Sequence, residues 1–367
     1  MTQDIQARLR RTQDTTAAAG VDSLLISPGA DLRYLTGYDA KPLERLTCLV
    51  LPAAGAPVLV VPHLEKAAAQ AAHVDDLGIQ IRTWQETEDP YALAAKYVTG
   101  NRIAFDNHMW AEKVLAFGKA LPDAEQLLAG PVLSELRMRK TPAEIQALRD
   151  AGGAIDRVHS RMGEWLRPGR TEREVGSDIA GAIIEEGHVQ VDFVIVGSGP
   201  NGASPHHEVS DRVIEEGETI VVDIGGTTAA GYCSDCTRNY LVGSTPPAGY
   251  ADYYAVLREA QQAQCAYARP GVTAESVDKV GRDVIAAAGF GDAFIHRTGH
   301  GIGLETHEEP YIVEGNDIVL EAGMAFSIEP GIYLEGRHGA RIEDIVVCTA
   351  DGIERLNLTS RDLTVLS

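Results

Sequence analysis

The sequence predicts an α+β protein of two domains, and three observations carry that expectation. Residues 1–130 alternate helix and strand patterns. Near residue 131 the texture changes to long helical periodicity. Beyond that point the chain repeats itself weakly at an offset of 102 residues. A chain of 367 residues is also too long for one small core. We therefore divide it into a small N-terminal α/β domain, 1–130, and a larger α+β domain, 131–367.

The start, "MTQDIQARLRRTQDTTAAAG", reads as an amphipathic helix ending in Gly, not as a secretory leader. "VDSLLIS", "LTCLVLP", "PVLVV", "IQIRTW" and "RIAFD" read as strands. "LEKAAAQAA", "YALAAKYV" and "AEKVLAFGKAL" read as helices between them. "LSELRMRKTPAEIQALRDAGGAIDRVHSRMGEWL" is long and helical. In it Thr141 is placed as a cap, Pro142 as the first helical residue and Glu144 three after the cap.

The repeat is clearest where "RPGRTEREV" (167–175) matches "RPGVTAESV" (269–277). In each copy Pro-Gly ends one helix and Thr caps the next, and those next helices end at Gly187 and Gly289. Each unit thus reads as helix, turn, helix and then strands. The first unit closes in a hairpin bearing Asp223 and Asp235, and the second in a hairpin bearing Glu329 and Glu343. Duplication about a pseudo-twofold axis would bring these four carboxylates together.

Composition narrows the function classes. The formal charge is −21 and the pI near 4.9, which argues against nucleic acid and anionic membrane surfaces as partners. Five cysteines in a long chain do not suggest a disulfide framework. No apolar run reaches membrane-spanning length, so a soluble cytoplasmic protein is expected.

Cys233 and Cys236 form a Cys-x-x-Cys inside the first hairpin. Side chains alternate along a strand, so residues three apart point to opposite faces and cannot close on one zinc. A zinc ribbon would need a second pair, which the sequence lacks. Both are expected to be packed thiols. The four carboxylates differ, because clustered carboxylates cannot all stay ionised without cations. His300, between glycines in "HRTGHGIGLETHEEP", adds one imidazole. Such a donor set suits Mn²⁺, Co²⁺, Fe²⁺ or Zn²⁺, and two ions roughly 3.5–4 Å apart would bridge and activate a water.

"VVDIGG…YCSDCTRNY", "RTGHGIG", "SIEPGIY" and "RIEDIVV", in that order, resemble the dinuclear metallopeptidases of the pita-bread fold (the M24B type). That family includes methionine aminopeptidase, aminopeptidase P and Xaa-Pro dipeptidase (prolidase). By resemblance Asp223 chelates one metal, Asp235 and Glu343 bridge, and His300 and Glu329 hold the second. Mn²⁺ or Co²⁺ is the implied pair. The Asp–Asp hairpin is one residue longer than the family spacing, the extra residue falling in the turn "GGTTAAG". His206, in "VGSGPNGASPHHEVS", and His307, seven after His300, match catalytic histidines of the proline-specific members. Their implied role is to hold the substrate carbonyl and stabilise the oxyanion, with Glu329 handling the proton of the attacking water. His207 is read as a bystander. "DLRYLTGY" resembles the N-domain of aminopeptidase P, prolidase and creatinase, which methionine aminopeptidases generally lack.

The expected activity is hydrolysis of an N-terminal Xaa-Pro bond by a hydroxide bridging two divalent metals, in an Xaa-Pro dipeptidase. The same ligands serve aminopeptidase P, which acts on longer peptides. Some relatives keep the fold as non-catalytic binding modules, but those typically lose ligands. Arg341 and Tyr333 are candidate substrate-side residues, Arg341 equally an ion pair to a ligand carboxylate. A dipeptidase also needs a cation for the proline carboxylate, and Arg45, in the loop after "YLTGY", is the candidate. A homodimer is the family expectation.

Overall fold

The computed structural model describes residues 2–366 and divides into two compact units, 1–136 and 137–367. Among the described residues, the first unit is built on a six-stranded mixed sheet. Its central strand, Ser23–Ile26, runs parallel to Arg102–Phe105, which is parallel in turn to Glu125–Leu128. On its other side lie antiparallel Cys48–Pro52 and Val58–Pro62, then parallel Gln80–Trp84. The four inner strands are apolar and buried, as their continuous Val/Ile/Leu runs require. Edge strand Glu125–Leu128 went unread in the sequence because it is almost wholly exposed and shows no apolar face. The helix Ala30–Thr36, ended by Gly37 in the left-handed region (φ 72°), was likewise not expected.

The units meet six residues beyond the expected boundary at 130, and the reason is local. Ala129 N–H bonds Phe105 O at the end of the edge strand, and Gly130 N–H bonds the Asn107 side chain. The chain then enters helix Gly130–Arg137 with no linker. The long helical pattern is therefore two helices. Pro142 disfavours a helical residue before it, so a new helix, Pro142–Ser160, starts there. The Thr141–Glu144 capping box forms in both directions.

The duplication in the second unit is visible at the hydrogen-bond level. Helices Glu172–Glu185 and Ala274–Ala287 sit 102 residues apart. Their caps make equivalent isolated bridges, Thr171 to Val213 and Thr273 to Val319. Gly169 N–H bonds Ile214 O just as Gly271 N–H bonds Leu320 O. The first copy's strands, joined at one edge by the C-terminal strand Thr364–Leu366, form a sheet ordered Thr364–Leu366, Cys233–Val242, Thr219–Thr228, His188–Ser198. The second copy's sheet is ordered Glu308–Ile312, Gly299–Gly301, Ala325–Ile328, Asp344–Cys348, Ile353–Arg355. No helix among the described residues is long and apolar enough to cross a membrane.

The two carboxylate hairpins differ. The first is one unbroken ladder. The second splits into Ala325–Ile328 with Asp344–Cys348 and Gly331–Leu334 with His338–Arg341. Pro330 has no N–H to give the ladder, and the break falls there. Both halves keep one register, so Glu329 and Glu343 lie opposite each other in the gap.

Candidate metal centre

Strand geometry puts the first two carboxylates on one face. Asp223 is paired with Thr237 and Asp235 with Gly225, so the aspartates are diagonal neighbours two rungs apart. Gly225 is needed there: a Cβ on it would meet the Phe193 ring at 2.5 Å. His300 enters on the short strand Gly299–Gly301, and its flanking glycines are required by close backbone approach. A Cβ on Gly299 would lie 2.0 Å from Ser327 O, and one on Gly301 2.2 Å from Glu309 O.

The five expected ligand residues converge. Ligand atoms of Asp235, His300 and Glu343 all lie within 4.8 Å of one another, and all three residues are buried. His300 Nε2 is 3.1 Å from Glu329 Oε1 and 3.7 Å from Asp235 Oδ2. Asp223 shares the face and lines the same cavity of about 790 Å³ with the other four.

The electrostatics of this cluster favour a cation. Burial, then Glu343, Asp223 and Glu329, push the Asp235 carboxyl well above its usual range. Burial, then Glu329 and Asp223, do the same to Glu343. For Glu329 burial works against the charge, but the hydrogen bond and charge of His300 outweigh it and lower its pKa to about 2. Asp223 Oδ1 is buried with no hydrogen-bond partner. Oxygen acceptors that are orphaned, or whose ionisation the cluster opposes for want of positive charge, beside one imidazole, fit divalent ions.

Neighbouring groups orient four of the five expected ligands, Asp223, Glu343, Glu329 and His300. Arg341 Nη2 donates to Asp223 Oδ2 at 2.5 Å. Thr237 Oγ1 donates to Glu343 Oε2 (2.8 Å) and accepts from Arg341 Nε (3.0 Å). Ser327 Oγ donates to Glu329 Oε1 (3.0 Å) and accepts the His300 N–H (3.0 Å). His300 Nδ1 donates to Gly301 O at 3.1 Å, which fixes the ring with Nε2 toward the carboxylates.

His206 and His307 also line the cavity, both exposed to it. His307 stands against His300 with ring centroids 4.0 Å apart. Partial desolvation, then the His300 charge, lowers its pKa. Tyr333 is not among the lining residues. It is buried behind Arg341, its hydroxyl bonded to Arg341 Nη1 and His296 Nε2 at 2.8 Å each. Arg45 is in the first unit, where Glu44 takes its Nη1 at 2.6 Å and Glu86 its Nε at 2.7 Å. A substrate carboxylate would have to displace both. Cys233 and Cys236 are free thiols buried in different apolar clusters, as strand alternation requires.

Sequence reasoning passed over several residues. Thr237 lies two after Asp235, and that spacing alone puts it on the ligand face. His296, which lines the cavity four before His300, carries no such signal. His207 is not a bystander. Its Nε2 bonds the fully buried Glu172 at 2.7 Å, and Glu172 also takes Ser198, Asn201 and Ser210. This one carboxylate ties down the loop that presents His206. It went unnoticed because all its partners are 26 or more residues away.

Comparison with known proteins follows the same division. Residues 146–350 match metallopeptidase family M24, and residues 8–139 match the creatinase/prolidase N-terminal domain. The Xaa-Pro dipeptidase of Lactobacillus helveticus is 38% identical over 356 residues, 94% of this chain and 95% of the relative. The structure of dipeptidase PepE from Mycobacterium ulcerans superposes with a TM-score of 0.95 at 51% identity, covering 100% of this chain and 98% of that one. A recombinant prolidase from Thermococcus sibiricus does so with a TM-score of 0.91 at 36% identity, covering 98% of each chain.

Proposed function

The chain belongs to metallopeptidase family M24, and from that premise we propose that it is an Xaa-Pro dipeptidase working with two divalent metal ions. The observation that carries the reading is the convergence of four buried carboxylates and His300 on the floor of a cavity that His206 and His307 also line. In this reading Asp223, Asp235, His300, Glu329 and Glu343 would together hold the two ions. One imidazole among oxygen donors favours Mn²⁺ or Co²⁺. When bound, the pair supplies a water activated for attack at neutral pH and polarises the scissile carbonyl.

The chain's own groups do the rest. Glu329 accepts the proton that the attacking water loses and returns it to the proline nitrogen as the C–N bond breaks. His206 and His307 donate N–H groups to the carbonyl oxygen as it gains charge. Arg341 and Thr237 hold Asp223 and Glu343 in place, so the ligand set is organised before substrate arrives. Arg341 thereby acts on the substrate through Asp223, with Tyr333 behind it.

The test is a purified enzyme assayed with Mn²⁺ and with Co²⁺ on matched Xaa-Pro and Xaa-Pro-Yaa peptides, beside metal analysis of protein purified without added metal. Preferred cleavage of the dipeptide supports the reading. Equal or better cleavage of the tripeptide would make the protein an aminopeptidase P. A chain that binds metal but cleaves neither would be a binding module. The expected homodimer is part of this proposal, and light scattering checks it.

A further inference from the structure

His307 lines the cavity, and the residue after it does not. Glu308 is buried between two cations. Its Oε1 accepts from Lys140 Nζ at 2.5 Å and its Oε2 from Arg137 Nη2. Arg137 Nη2 also lies 2.7 Å from Glu305 Oε2, so one guanidinium holds acids on both sides of His307. Lys140 is buried too, and its backbone N–H bonds Gly323 O at 2.9 Å. Burial opposes the Glu308 charge, but Lys140 and then Arg137 prevail and hold its pKa below the usual range.

Buried ion pairs return little net stability, because desolvation offsets their attraction. Separating one is strongly unfavourable, so the pairing holds its backbone to one geometry. The loop around Glu308 is built against that fixed carboxylate. A Cβ on Gly303 would lie 2.7 Å from Glu308 Oε1, which Lys140 keeps from moving aside. Gly303 O accepts the Cys233 N–H at 2.9 Å, and Gly303 N–H bonds Glu305 O at 3.1 Å. At the other end Glu308 pairs with Gly301, on the rung beside His300.

The His307 ring itself is held by little. Among the described residues no side-chain hydrogen bond fixes it, and its close contact is the His300 ring, 4.0 Å between centroids. Its aim is therefore set by the backbone of the loop, and the anchor of that backbone is the next residue.

We infer that Glu308, clamped by Arg137 and Lys140, is a positioning residue that aims His307 at the substrate carbonyl. The inference rests on the role given to His307 above and extends it to residues that do not line the cavity. A donor to a developing oxyanion is effective only when it is in place before the charge appears. A displacement of about 1 Å in such a group costs about a hundred-fold in rate.

The test is a double-mutant cycle on Leu-Pro with Mn²⁺, with metal content measured for every variant. Glu308→Gln and Gly303→Ala each lower kcat about ten- to a hundred-fold, with KM and metal content little changed. In a His307→Ala background the same two changes cost nothing further, because no ring is left to aim. Losses that simply add, or metal loss from either single variant, overturn the inference. If Glu308→Gln fails to fold, Gly303→Ala, which keeps every charge, decides the cycle alone. Hydrogen exchange read by mass spectrometry follows the loop without turnover. Exchange over residues 302–308 rises in both single variants while residues 219–242 stay protected, and unchanged exchange in the loop overturns the inference. If wild type cleaves no Xaa-Pro substrate, the functional reading fails, and exchange still decides whether Glu308 fixes the loop.

Discussion

Glu329 and Glu343 face each other across the one gap in the second hairpin, on the rung next to Pro330. On the ladder between Thr219–Thr228 and Cys233–Val242, by contrast, Asp223 and Asp235 are offset by two rungs. The two copies of the repeat therefore offer their carboxylates with different geometry, one pair directly opposed and the other diagonal. In each pair one carboxyl, Asp235 or Glu343, is pushed well above its usual range by burial and the neighbouring carboxylates. This imbalance is the source of the first prediction.

Asp235→Asn should lose metal and activity together. A neutral amide would bridge two cations poorly, and Asp235, the proposed ligand, is surrounded by Glu343, Asp223 and Glu329. In metal-free protein the same change should raise the melting temperature, because it removes a carboxyl whose ionisation the folded cluster opposes. Elemental analysis and a melting curve with and without Mn²⁺ check this. Retention of two metals and full turnover would contradict the ligand assignment.

His206→Ala and His307→Ala should each lower kcat about 10²–10³-fold, the usual loss for one oxyanion donor, with metal content unchanged. Both side chains face the cavity rather than the buried cluster, so removing them should not open it. Steady-state kinetics beside metal analysis separate the two effects. Metal loss from either variant would make that histidine a ligand.

Cys233→Ala combined with Cys236→Ala should keep metal and activity. The cost should be stability alone, since the two thiols fill different apolar clusters. Chemical denaturation gives the stability loss and elemental analysis the metal. A metal-deficient double variant would revive the Cys-x-x-Cys as a site.

Glu172→Gln should destabilise the protein near pH 7 by about 1–3 kcal/mol, because it leaves several donors around one buried acceptor poorly matched. It should also lower kcat by loosening the loop that presents His206. Burial opposes the Glu172 charge, but the bonds from Ser198, Ser210 and His207 prevail and hold its pKa below the usual 4.5. A depressed carboxyl stabilises the fold fully above its unfolded value and loses that contribution as pH falls through its folded value. The stability gap between wild type and variant should therefore be widest above pH 4.5 and close below it. Melting curves from pH 7 to pH 3 would show the convergence, and a gap independent of pH would refute the charge-based account.

Much of the carboxylate–histidine cluster was legible in order along the chain, because each expected ligand sits in a short segment with its own local signature. Asp223 and Asp235 flank a hairpin turn, His300 lies between glycines, and Glu329 and Glu343 flank a second hairpin. The 102-residue offset between the capping threonines Thr171 and Thr273 showed that these hairpins belong to one duplicated unit. Alternation along a strand was enough to separate Cys233 from Cys236. These are matters of backbone period and short-range sterics, which a linear sequence carries.

What only the tertiary structure decided is the partner of each polar group. Arg341 and Arg297 are both arginines within a few residues of an expected ligand, yet one is saturated by Asp223, Tyr333 and Thr237 and the other lies over the Tyr311 ring. His206 and His207 are adjacent, yet one faces the cavity and the other is tied to Glu172, 35 residues away. Arg45 carries the same charge as Arg297, but Glu86, 41 residues on, takes it. Hydrogen bonds and ion pairs are satisfied across space by whichever groups the packed strands bring within about 3 Å. No period in the chain encodes that proximity.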